Sequence, residues 1–283
     1  MDISVIVVTY NQERTIGRTL DSILSQQTDA DYEIVIGDDC STDGTEAVCR
    51  DYAARYPGRI RYLRRERNLG LVANYYDCIA NSRGRYLADC AGDDYWVDTS
   101  KLQRQFEVLE SRPDVTLVAT DWLCRDDATG RLSRVGNECP PGEYSPGELV
   151  VPLLIHSKVV HLCSALYRKA TLTEAIRRNQ HIFLDSRYIA EDIQILLNAA
   201  SSGTVVVLPA VTLHYSVGHP SVSNRPDFKG KFMQARLNLR QLRRLQRFFV
   251  PSPMASERKK LQTFYLRELR YIIAMACKAL LFR

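Results

Sequence analysis

Two pairs of adjacent carboxylates, Asp38-Asp39 and Asp93-Asp94, each close an apolar run of the 283-residue chain. One carboxylate at such a place serves as a helix cap, but two side by side repel. A divalent cation that carries phosphates takes one or two protein carboxylates and completes its shell with phosphate oxygens and water. An adjacent pair can then divide the work, one on the metal and one on a nearby hydroxyl. The bland readings stand beside this one. "CSTDGT" after Asp39 is a good helix-start turn, and Asp93-Asp94 taken alone could be a solvated acidic turn. Other polar groups fall at comparable places: Thr9-Tyr10-Asn11, with Glu13 two further on, and Asn68-Leu69-Gly70. Neither a G-x-x-x-x-G-K loop nor a G-x-G-x-x-G turn occurs, so neutralising a phosphate would fall to a cation.

The elements that must hold these residues follow from the pattern of apolar runs. "ISVIVVTY" (3–10), "YEIVIGD" (32–38), "IRYLRR" (60–65), "GRYLADCAG" (84–92) and "VTLVATDW" (115–122) read as strands. Helical patterns lie between them, from Ile16 to Leu24 and across 43–55, 70–82 and 101–111. Strands alternating with helices of this length predict βαβ units and an α/β, mostly parallel central sheet with flanking helices. In such a sheet ligands bind outside the carboxyl ends of the strands, which is where the polar residues stand. Residues 125–150 read as a loop or a small excursion, 151–183 as a mixed and mainly helical stretch, and 186–202 as a helix. "TVVVLPAVTLHYSV" (204–217) reads as one or two strands, with Pro209 breaking the run.

The chain is 45% hydrophobic, enough for a sizeable core. Its eight cysteines include no C-x-x-C pair. The N-terminus lacks a basic, cleavable leader pattern, so reduced thiols in a cytoplasmic protein are expected. No stretch reaches the ~20 apolar residues of a membrane span. The net charge of +5 hides a split: residues 229–283 carry +12 and the rest −7. In the tail, Phe228, Phe232, Ala235, Leu239, Leu242 and Phe249 recur at helical spacing among arginines, and "YIIAMACKALLF" (271–282) could dip into a bilayer surface. A solvated helix pair packed on the body, or a homodimer contact, would use the same pattern. Nucleic-acid binding is not expected, since the tail lacks interleaved exposed aromatics.

Taken in order, "SVIVVTYNQERTIGRTLDSILSQ", "EIVIGDDCSTDGT", "RNLGLVANYY" and "GRYLADCAGDDYWVDTSKLQRQ" closely resemble the family 2 glycosyltransferases. The resemblance covers roughly residues 1–225. It implies a GT-A fold with a Rossmann-like nucleotide-binding half (1–122) and an acceptor-binding half (123–225), which leaves residues 226–283 as the basic amphipathic helical extension. It also implies inverting transfer of a sugar from a nucleotide diphosphate donor, UDP-linked, to a hydroxyl of a glycan or lipid-linked acceptor, with Mn²⁺ or Mg²⁺. The expected site is the peripheral, inner face of the cell membrane. Carried over residue by residue, Thr9, Tyr10, Asn11 and Glu13 line the base and ribose pocket, and Asp39 accepts from the base. Asn68, Gly70 and Asn74 lie along the nucleotide. Asp93 faces ribose or sugar, and Asp94 holds the metal. "DDCS" departs from the commoner "DDGS" at Cys40.

"YIAEDIQILL" (188–197) resembles the family's E-D element, which implies Asp192 as the general base with Glu191 beside it; both also suit the first turn of a helix. His219 stands near the family's metal-binding histidine, one place late, and could equally be a surface residue. Trp96 could stack on a sugar or pack inside. His161 falls where the family often builds its acceptor wall. A non-catalytic nucleotide-sugar or glycan-binding protein on the same fold is the alternative; it predicts loss of the metal carboxylates or the base, and all are present.

Overall fold

The computed structural model describes residues 1–218 and 228–281. At its centre, β1 (Ile3–Thr9) is buried along nearly its whole length, as a strand covered on both faces must be. β2 (Tyr32–Asp38) and β3 (Ile60–Arg64) extend the sheet on one side and β4 (Tyr86–Asp89) on the other, all four parallel. The crossovers run through α1 (Ile16–Leu24), α2 (Thr45–Arg55) and α3 (Leu71–Asn81). Ile16, Leu20 and Ile23 form the buried stripe that seats α1. The carboxyl ends of these strands therefore share one edge, and the polar residues that follow them are gathered there.

Past β4 the topology changes. β5 (Tyr95–Trp96), α4 (Lys101–Ser111), β6 (Val115–Asp126), β7 (Leu132–Ser133), β8 (Gly142–Tyr144) and α5 (Val150–Leu154) come next. After a 3-10 turn at Leu162–Ser164 come β9 (Leu166–Arg168), α6 (Lys169–Arg178), α7 (Gln180–Phe183), α8 (Asp192–Ser202) and β10 (Thr204–Val217). The spatial order is β3-β2-β1-β4-β9-β6-β10-β5, with β7 on β6 and β8 on β10.

Four details depart from the sequence reading. β9 lies inside the stretch read as mainly helical, antiparallel between β4 and β6; three residues are too few to show a period. Residues 125–150 contribute β7 and β8 to the sheet rather than forming only a loop. The helix expected over 186–202 begins only at Asp192. Pro209 does not end its strand: β10 continues through a register shift between Leu208 and Val211, a bulge that takes up the missing donor.

The chain closes with α9 (Phe228–Phe249), packed on α5 and α8, and α10 (Ala255–Leu281), packed on α9. Leu239, Leu242 and Leu245 of α9 and Leu261 and Phe264 of α10 are buried. Among the described residues no helix is long and apolar enough to cross a membrane, and the cysteines described are all free thiols.

Candidate active site

One open cleft of about 2050 Å³ lies over the carboxyl ends of the strands. Thr9 ends β1 and donates from its hydroxyl to Gln12 Oε1 at 2.7 Å. Asn11 turns the chain with φ +54°, and its Oδ1 accepts from the Thr42 N–H at 2.8 Å. Glu13 Oε2 accepts from the Gly44 N–H at 2.7 Å, which ties the first strand-end loop to the second. Tyr10 stands exposed on the rim. Asp39 is buried and its two oxygens accept from the Leu69 and Gly70 N–H groups at 2.7 and 2.9 Å. The 68–70 loop is thereby fixed to the end of β2. Gly70 has φ +84°, a region costly for other residues, and its N–H also meets Asn68 Oδ1 at 3.1 Å. Cys40 adopts φ +65°, which explains why glycine suits that position better. Asn74 is buried with both amide ends engaged: Nδ2 donates to Gly37 O at 2.8 Å and Oδ1 accepts from Arg65 Nε at 2.8 Å.

The acidic loop after β4 passes close against these groups. A Cβ on Gly92 would stand 2.9 Å from Thr9 Oγ1 and 3.1 Å from Thr9 Cβ, so glycine lets the loop come this close. Asp94 is fully buried, and its Oδ1 accepts from the Ser216 N–H at 2.9 Å, while its carbonyl accepts from Thr19 Oγ1 at 2.6 Å. Asp93 is half-buried on the cleft side, and its carbonyl accepts from Arg18 Nη2 at 2.9 Å. The ligand atoms of Asp94, His161 and Cys163 lie within 4.8 Å of one another. Burial pushes the Cys163 thiol well above its usual range, so it stays protonated and suits a hard cation poorly. Burial pulls His161 down to about 4, so its imidazole is neutral at pH 7. Its Nδ1 accepts from the Cys163 N–H at 3.3 Å, so the proton of the neutral ring sits on Nε2, which donates rather than ligates. Of the three, the Asp94 carboxylate facing the cleft is the group that fits Mn²⁺ or Mg²⁺, a cation that completes its shell with phosphate oxygens and water.

Across the cleft, Glu191 and Asp192 open α8. Glu191 is buried, and desolvation, followed by the neighbouring Asp192 charge, raises it to about 8. Asp192 is solvent-accessible on the cleft wall, yet the protein around it also raises its carboxyl. Its Oδ1 accepts from the Ile193 N–H at 2.7 Å. A second cavity of about 180 Å³ shares Asp192 and is lined by His156, Lys158, Asn238 and Gln241 among apolar side chains.

The family model for "Glycosyl transferase family 2" matches residues 4–172. The chain belongs to this family. An uncharacterised Mycobacterium tuberculosis protein is 31% identical over 232 residues, 80% of this chain and 63% of that one. The succinoglycan biosynthesis protein ExoO of Rhizobium meliloti is 29% identical over 226 residues, 78% and 62% of the two chains. The match thus spans less than two thirds of these relatives' length. Among solved structures, Staphylococcus aureus TarS (residues 1–349) with UDP-GlcNAc superposes with a TM-score of 0.62 at 18% identity, covering 97% of this chain and 81% of that one. The mannosyltransferase PcManGT of Pyrobaculum calidifontis with GDP-Man and Mn²⁺ gives 0.62 at 17% identity, covering 98% and 74%. The fold of this family 2 member is GT-A: a mixed α/β sheet flanked by helices, with a helical C-terminal part.

Thirteen of the fifteen residues singled out in the sequence of this family 2 member line the large cleft. Trp96 does not. Pairing of β5 with β10 turns the indole inward, where Nε1 donates to Cys163 O at 2.9 Å and Lys101 Nζ sits 4.1 Å from the ring centroid. It is a packed aromatic, not a sugar platform. His219 lies outside the described residues. Two further cleft residues bear on the site's chemistry. Arg18, the lone cation of α1, joins Asp93 O, Ser216 Oγ at 2.9 Å and Asp127 Oδ1 at 3.2 Å, fastening the acidic loop to the end of β10. Asp89 ends β4 and is buried beside the Tyr75 and Tyr167 hydroxyls; burial raises it to about 7. It is the first carboxylate of "LADCAGDD", and that run was the one available signal.

Proposed function

We propose that the protein is an inverting, cation-assisted glycosyltransferase that moves a sugar from a nucleoside diphosphate donor, UDP-linked in the first instance, to a hydroxyl of a glycan or lipid-linked acceptor. The observation that carries this reading is that Asp192 and Asp94 line one cleft whose other end is built from the Thr9–Glu13, Asp39 and 68–70 groups. The nucleotide occupies that end, and Asp93 faces the donor sugar. Asp94 would hold the cation, which supplies charge neutralisation at the diphosphate. Asp192 takes the acceptor proton as the acceptor oxygen bonds to the anomeric carbon and the bond to the diphosphate oxygen breaks. The small cavity beside Asp192 receives the acceptor. The family match and a relative named for succinoglycan biosynthesis support a role in polysaccharide assembly. Proton NMR of the fresh product tests the stereochemistry. An α-linked donor sugar is expected to appear β-linked, and a retained α linkage would overturn the single-displacement reading.

The expected place of action is a membrane surface. Leu266, Leu269 and Ile273 of α10 are exposed at helical spacing, beside Arg258, Lys259, Lys260, Arg267 and Arg270. Each basic residue near an anionic leaflet contributes about 1 kcal/mol. The protein is expected to sediment with phosphatidylglycerol-containing vesicles and not with pure phosphatidylcholine. The triple change Leu266→Ser, Leu269→Ser, Ile273→Ser is expected to release it. Undiminished sedimentation of that variant would contradict the assignment.

A further inference from the structure

We propose that Gln241 of α9 is a positioning residue that holds the Asp192 loop in its reactive place, making the C-terminal extension part of the catalytic apparatus. The proposal rests on the reading of Asp192 as the base. Residues 184–191 lie between α7 and α8 in no helix or strand, so their backbone groups must find partners from elsewhere. Gln241 is 3% exposed and supplies partners to two of them, the Ile189 N–H and the Ala190 carbonyl. Its Oε1 accepts from the Ile189 N–H at 3.3 Å, and its Nε2 donates to Ala190 O at 2.9 Å. The same Nε2 donates to Gln194 Oε1 at 3.0 Å, on the first turn of α8. These three bonds bracket Glu191 and Asp192 from both sides.

Three residues further along α9, on the same face, Arg244 adds a second grip. It pairs with the Asp185 carboxylate and donates to His181 O at 2.6 Å, with its guanidinium 5.9 Å from the Tyr188 ring centroid. An apolar side chain of similar size could pack α9 on α8 equally well, as Leu242 and Leu245 do. An amide that joins an irregular segment to the helix after it does something packing does not: it fixes where the side chains between them point. A base must stand within hydrogen-bond reach of the proton it takes, and a displacement of about 1 Å costs on the order of 10²-fold.

The test compares wild type, Gln241→Leu and Gln241→Glu, with Asp192→Asn as reference. Amide hydrogen exchange of residues 184–194 and steady-state release of nucleoside diphosphate from UDP- and GDP-sugars with Mn²⁺ are both measured. Gln241→Leu is expected to speed exchange of that segment at least tenfold, leave β1 and β2 unchanged, and lower kcat about 10- to 100-fold with donor KM within twofold. Gln241→Glu keeps the acceptor for the Ile189 N–H and is expected to recover part of both losses, and it stands in should the leucine variant not fold. Unchanged exchange would overturn the clamp, as would faster exchange with wild-type kcat. Wild-type turnover by Asp192→Asn would instead remove the base reading, while the exchange result still judges the clamp.

Discussion

Asp192→Asn is expected to lower kcat by about 10²–10⁴-fold, the range over which general-base catalysis contributes, while donor affinity stays within twofold of wild type. The substitution keeps shape and leaves an oxygen to accept from the Ile193 N–H, so the start of α8 stays in place. It removes only the ability to take a proton. Glu191 substitutes for it poorly, because its burial, the larger cause of its raised carboxyl, persists in the variant and favours the protonated form. The pH dependence follows from the same shifts. The surrounding protein favours the protonated form of both carboxyls, and the base must be ionised to act. In wild type, kcat is therefore expected to rise with pH through the apparent pKa of the Glu191–Asp192 pair and to fall below it. The residual activity of Asp192→Asn should lack that limb, and a pH–rate profile of both proteins checks it. A rising limb preserved in Asp192→Asn would assign it to another group.

Asp94→Ala is expected to abolish stimulation by Mn²⁺ and to weaken donor binding. A cation at a diphosphate supplies several kcal/mol of charge stabilisation, and at about 1.36 kcal/mol per decade this corresponds to a loss of at least ~10²-fold. The same carboxylate also accepts from the Ser216 N–H, at the end of β10. Alanine leaves that donor without its carboxylate, at a cost of about 1–3 kcal/mol in stability. Asp94→Asn separates the two effects, because its amide oxygen can still accept from Ser216. It should therefore melt close to wild type yet respond to Mn²⁺ no better than alanine. A manganese titration of turnover, read beside thermal melts of both variants, checks this. An asparagine variant with normal metal response would place the cation elsewhere.

How much of this was legible in the sequence depends on how local the determining contacts are. β1, β2 and their crossovers announce themselves, because burial on both faces of a strand and on one stripe of a helix leaves a periodic trace in neighbouring residues. The polar residues after those strands could be assigned to one edge because parallel βαβ units leave no other arrangement. β9 was not legible: its three residues are held by β4 and β6, far away in the chain. The delayed start of α8 has the same cause, since the bonds that hold residues 185–190 come from Gln241 and Arg244, more than 50 positions on. Trp96 was misjudged in one of its two readings because its orientation is fixed by β10 and not by the acidic pair beside it. Asp89 went unremarked because a carboxylate inside an apolar run reads as part of the strand. Only its place at the edge of the cleft marks it out.

The account's central claim is a cation-dependent sugar transfer driven by Asp192. It is tested most directly by measuring nucleoside diphosphate release from a panel of UDP- and GDP-sugars, with Mn²⁺ and with EDTA, for wild type and Asp192→Asn side by side. Wild type is expected to release the nucleotide from at least one donor, only with the metal, while Asp192→Asn binds that donor and releases almost none. Silence of wild type with every donor, or equal release by Asp192→Asn, would contradict the account.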